Sequence, residues 1–161
     1  MKTLRAAFAG VLGALAMSLA MFLLRLTGTN VSLEALLGSI VETPAGVDPW
    51  VMGFLLHLLI GAAAALAYAV VFEAAVQRSG LLIGSGLGLC HGLLAGLMMS
   101  GIPAMNPLAL GTGSAPGPFL QNLHLGPFIF LLLHCLFGAT VGIVYGRPLQ
   151  RSHSFTHGAT S

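Results

Sequence analysis

Phe54-Leu-Leu-His57-Leu-Leu-Ile-Gly61-Ala-Ala-Ala-Ala-Leu-Ala-Tyr68 returns further along the chain as Leu131-Leu-Leu-His134-Cys-Leu-Phe-Gly138-Ala-Thr-Val-Gly-Ile-Val-Tyr145. The chain holds 2 tyrosines, and each follows by eleven residues a histidine that stands four residues before a glycine. Self-similarity of this kind marks a duplicated structural unit. A second pair lies upstream, where Gly10-Val-Leu-Gly-Ala-Leu-Ala-Met17-Ser18 reads against Gly92-Leu-Leu-Ala-Gly-Leu-Met-Met99-Ser100 with glycine, leucine, methionine and serine in register. The unit is a helical pair, present twice.

Of 161 residues, 57% are hydrophobic and 6% charged, too few polar side chains to cover a soluble globule of this size. Four apolar stretches, about residues 6–26, 51–72, 80–101 and 127–146, can each cross a hydrocarbon core, which takes about 20 helical residues. The expected fold is all-α, a transmembrane four-helix bundle made of two repeated helical hairpins. Residues 1–146 form the single transmembrane domain, and the polar tail, 147–161, is expected to stay disordered in the cytoplasm.

Lys2, Arg5, Arg78, Arg147 and Arg151 fall at the N-terminus, the middle connection and the C-terminus, whereas Arg25 alone lies on the opposite side. Positive charge stays cytoplasmic, so both termini are expected to face inward. The net charge of +2 reflects this topology, and no nucleic-acid partner is expected. The first stretch begins like a secretion signal, but it is longer than a signal core and its repeat partner is an internal span. Cys90 and Cys135 fall within spans, where a structural disulfide is not expected.

Between the spans, Ser32 is a candidate N-cap for a short helix carrying Leu33, Leu36, Leu37 and Ile40 on one face, expected to lie on the outer membrane surface. Trp50 sits at interfacial height. The connection from 73 to 79 is short, which makes spans two and three antiparallel neighbours. Residues 102–126 carry no Asp, Glu, Lys or Arg but hold Pro103, Pro107, Pro116 and Pro118. That segment reads as an irregular outer loop lying close to the interface, either an ordinary loop or one that covers a partner or site.

Helices in lipid associate through small residues at every fourth position. Gly84, Gly88, Gly92, Gly96 and Ser100 form such a stripe along span three, Gly138, Gly142 and Gly146 along span four, Gly61, Ala65 and Ala69 along span two, and Gly10, Ala14 and Ser18 along span one. Span three is accordingly expected to be central.

His57 and His134 lie at matching depth, and a pseudo-twofold axis along the membrane normal would bring them together. Tyr68 and Tyr145 would form a second matched layer. His91, whose repeat counterpart is Ala9, lies near mid-bilayer, where an ionisable side chain is a functional-site candidate. His57, His134 and His91 are the candidate cofactor ligands, and His57, His134, Met98 and Met99 the candidate metal ligands, because imidazole and thioether suit copper or haem iron. His153 and His157 in the tail stand four apart and can share a metal if helical. The plain alternative is a pair of neutral imidazoles, each donating its N–H to a backbone carbonyl or to the other ring. No Asp, Glu, Lys or Arg lies in the body of a span, which speaks against a driven pump, and no nucleophile and base stand at recognisable spacing.

Gly10, Met17 and Arg25, the Leu-Leu-Gly38 surface helix, Gly53-Phe-Leu-Leu-His57 with Tyr68, and His134 with Gly138 and Tyr145 together resemble a family of small bacterial four-span integral membrane proteins, a domain of unknown function. The resemblance covers nearly the whole chain and implies the four-span architecture, but no activity or ligand. The function expected is non-enzymatic: an accessory or scaffold subunit, embedded in the bilayer, meeting a larger membrane complex or copies of itself. A haem- or metal-binding redox module is the first alternative. The second is a channel or carrier for a neutral solute or soft metal.

Overall fold

The computed structural model describes residues 2–29, 32–39, 41, 44–100 and 126–146. The uncharged loop, the tail and their histidines lie outside them. Among the described residues five α-helices follow in order: α1 Thr3–Leu26, α2 Leu33–Ser39, α3 Pro49–Val71, α4 Leu81–Ser100 and α5 Gly126–Tyr145. Among the described residues there is no strand. Helices α1, α3, α4 and α5 are long and apolar enough to cross a membrane, as a multi-pass membrane protein requires.

Local chemistry sets the helix ends. The Asp48 carboxylate accepts a 2.8 Å hydrogen bond from the Trp50 N–H, with Pro49 at the first helical position of α3. Ser32 accepts from the Ala35 N–H at 3.1 Å and so caps α2, as its position predicts. Helix α3 runs on into a π-helical turn, Phe72–Val76, which ends at Gln77 in the left-handed conformation.

The helices are arranged in the order α3, α1, α5, α4, with α1 packed on both α3 and α5, and α5 packed on both α1 and α4. Helices α3 and α4, although consecutive, barely approach along their backbones. A true twofold bundle would match the close α1–α5 seam with an equally close seam between α4 and α3. That seam is open, so the expected symmetry is broken. Helix α4 is peripheral rather than central: Gly84, Gly88 and Gly92 face α5, while Leu82, Leu93, Leu94, Leu97 and Met98 are exposed.

Glycine explains which faces meet. Cβ atoms added at Gly84 or Gly88 would collide with the carbonyls of Gly138 and His134, and one at Gly142 with the carbonyl of Gly80. On the other side, Gly10 lies against the carbonyl of Gly61. In the sequence repeat Gly10 corresponds to Gly92 and Gly61 to Gly138. Yet Gly138 touches Gly84, and Gly92 touches His134 instead. The second hairpin has slipped by about two helical turns relative to the first, because five small residues in a row on α4 offer several registers of similar fit. Gly96 is buried, and the side chain of Ser100 lies outside the described residues.

Helix α2 fully buries only one of the leucines on its apolar face. Glu34, Leu37 and Gly38 point inward, with Leu33 and Leu36 only partly covered. Gly38 lies against the Pro49 carbonyl and Gly53 against the Glu34 carbonyl, so the inward face is chosen by small size. The core between the four long helices is filled by Met17, Met21, Phe72, Phe137, Val141 and Tyr145, none more than 2% exposed.

Candidate functional site

The histidines that meet are His91 and His134, with ring centroids 5.1 Å apart and planes nearly perpendicular at 88°. His57 is buried on α3 beside the backbone of Ala14 on α1, within electrostatic reach of His134 but outside ring contact. The expected meeting of His57 with His134 is therefore replaced by one between His91 and His134. The register slip accounts for the change, because it carries α4 along α5 until His91 faces His134.

The His134 Nδ1 lies 2.9 Å from the Phe130 carbonyl, one turn earlier on α5. Because a carbonyl only accepts, Nδ1 carries the proton of this bond, and in the neutral ring Nε2 is then the acceptor. His91 Nδ1 lies 3.3 Å from the Tyr68 hydroxyl, a hydrogen bond that links α4 to α3 across the open seam. Phe137 stands edge-on to both His91 and Tyr68, at 5.8 Å from each. Phe130 tilts against His134 at 4.3 Å.

These rings close the interior. Tyr68 packs edge-on to Phe72, and Phe72 stacks on Tyr145 at 5.7 Å. The two tyrosines thus share an aromatic column rather than a matched layer, and their hydroxyls serve different partners. The Tyr145 hydroxyl donates to Glu73 and receives the Lys2 backbone N–H at 3.4 Å. Arg5 donates from Nε to the Val144 carbonyl at 3.0 Å, and the Ser79 hydroxyl donates to the Gly146 carbonyl. The ends of α1, α3 and α5 are laced together at this level.

A haem does not fit between His91 and His134, whose rings touch edge to face with no slot for a porphyrin plane. Met98 is 77% exposed and stands two turns from His91, away from His57 and His134. The side chain of Met99 lies outside the described residues. Among the described residues no three His, Cys, Asp or Glu side chains converge where an ion can be held. Cys90 is exposed and Cys135 partly so, on faces different from those of the adjacent histidines.

Glu34 lies in the short helix expected on the outer membrane surface, yet its side chain is fully buried within the protein. Its Oε2 lies 3.6 Å from an Arg25 guanidinium nitrogen and accepts from the Ser32 hydroxyl at 3.1 Å. The signal in the sequence was Arg25, the lone basic residue on that side of the membrane, placed to meet the first acidic residue after it. Compared with known proteins, the chain matches no family model, no curated protein and no solved structure.

Proposed function

We propose that the chain is a non-enzymatic accessory subunit of a bacterial inner-membrane complex, with both termini in the cytoplasm, and that it receives a transmembrane helix of its partner along the open seam between α3 and α4. What supports this reading is His91. It sits midway along an apolar helix, is partly exposed, and has the Tyr68 hydroxyl as its hydrogen-bond partner across the seam. An ionisable ring at that depth is costly to leave against acyl chains, so a polar side chain from a neighbouring helix is the occupant that fits.

The seam is shaped for a helix. Leu94 and Met98, three and seven residues beyond His91 on the same face of α4, are 63% and 77% exposed. On α3, Ile60, Ala64 and Ala67 flank Tyr68, and the two alanines let a backbone come close. The glycine stripe of α4, by contrast, is consumed inside the molecule by α5. A closed aromatic interior also argues for a binding role over conduction.

A photo-crosslinking residue placed at Leu94 in native membranes tests the reading, with Leu132 on α5 as the control, since it too is exposed at 53%. The expected product joins the chain to a different, larger membrane protein from position 94 and not from 132. A product of twice the chain's own mass, or none, overturns it.

A further inference from the structure

We propose that Ser18, Glu34 and His57 form a binding site for a single borderline divalent metal ion of the zinc class, at the end of the bundle covered by α2. Among the described residues, three buried side-chain atoms lack a hydrogen-bond partner: Ser18 Oγ, Glu34 Oε1 and His57 Nε2. They stand on three helices packed in series at this end of the bundle, α2 on α3 and α3 on α1. Gly53, one turn before His57 on α3, packs against the Glu34 carbonyl of α2. The Glu34 carboxylate is the charge that reaches the His57 ring, and that ring lies beside Ala14, one turn before Ser18 on α1.

The donors suit an ion. Glu34 is 0% exposed and His57 5%, so water outside the bundle does not reach them. Leaving a carboxylate oxygen and an imidazole nitrogen buried and unpartnered is costly. The other carboxylate oxygen, Oε2, is held by Ser32 and Arg25, which leaves Oε1 as the free donor. A ligating carboxylate is commonly fixed in this way by outer partners. One imidazole nitrogen with two oxygens, and no sulfur, favours zinc and its neighbours over copper(I), and the carboxylate excludes an anion. Two metal-ligating side chains and a hydroxyl give three protein positions, with water completing the shell. A lone bridging water is the other occupant of this size.

The test uses the full chain in lipid nanodiscs, with His153→Ala and His157→Ala removing the tail histidines, and cobalt(II) as the probe. The expected result is one bound equivalent whose X-ray absorption shows a single imidazole, oxygen neighbours and no sulfur. Affinity is expected to fall about tenfold or more in Glu34→Gln and in His57→Ala. It should stay unchanged in His91→Ala and His134→Ala. No bound cobalt leaves water as the occupant and overturns the proposal, as do undiminished affinity in Glu34→Gln or His57→Ala, sulfur scattering, or a second imidazole. If a variant fails to fold, the absorption spectrum of the chain with only its tail histidines replaced decides alone. The site is separate from the α3/α4 seam, and its fate leaves the partner-binding reading untouched.

Discussion

Gly84 and Gly138 each fill the space that the other's missing side chain would take: a Cβ on either would run into the carbonyl oxygen of its counterpart, well inside van der Waals contact. The collision on both sides is with backbone, which cannot swing aside as a side chain can. The two helices are therefore held at a separation that only glycine permits.

Gly138→Ala is expected to destabilise the protein by about 1–3 kcal/mol, the usual cost of forcing extra volume into a packed interface. Gly86→Ala is the matched control, since a Cβ there meets open space. That change should be neutral or stabilising by up to about 1 kcal/mol through helix propensity. Steric-trapping unfolding in bicelles measures both, and equal effects at the two sites would refute the packing described.

The long apolar stretches made the four spans readable from the sequence, and the repeat around His57 and His134 with its small-residue stripes the pairing of α3 with α1 and of α5 with α4. Register was not readable. Gly84, Gly88 and Gly92 are interchangeable as small residues, so the alignment of Gly92 with Gly10 carried no information about which of them would meet Gly138. The position of His91 followed from that register, and with it the histidine pair. Glu34 was hidden for a different reason. Its neighbours Leu33, Leu36 and Leu37 suggested an apolar inward face, whereas close approach at Gly38 and Gly53 decided which side of α2 turned in.

Arg25→Ala should cost about 1–3 kcal/mol. The Glu34 carboxylate is fully buried and would lose its cationic partner, while the guanidinium is 27% exposed and so holds less than a fully desolvated pair. Glu34→Gln in the Arg25→Ala background should recover part of that loss by removing the stranded charge. A double-mutant cycle on chemical unfolding measures the coupling, and simple additivity would contradict an interaction between the two residues.

Tyr68→Phe removes the hydroxyl that bridges to His91, at an expected cost of about 1 kcal/mol. The same change in a His91→Leu background should cost little, because the bond is already gone. A cycle with no coupling energy would mean that the seam is not joined by this pair.

Adding haem to the purified chain is expected to give no bis-histidine spectrum, because His91 and His134 are too close, at 5.1 Å between centroids, for a porphyrin to lie between them. A low-spin Soret band that disappears in His134→Ala would contradict this.

The interior as described depends on which histidines face each other. Through-space carbon correlations in magic-angle-spinning NMR, on histidine-labelled protein in lipid bilayers with His124, His153 and His157 replaced by Gln, read that out without perturbing the core. Ring-to-ring cross-peaks between His91 and His134, with none between His57 and His134, are the expected result. Cross-peaks joining His57 to His134 and none from His91 would restore the symmetric bundle and contradict the slipped one.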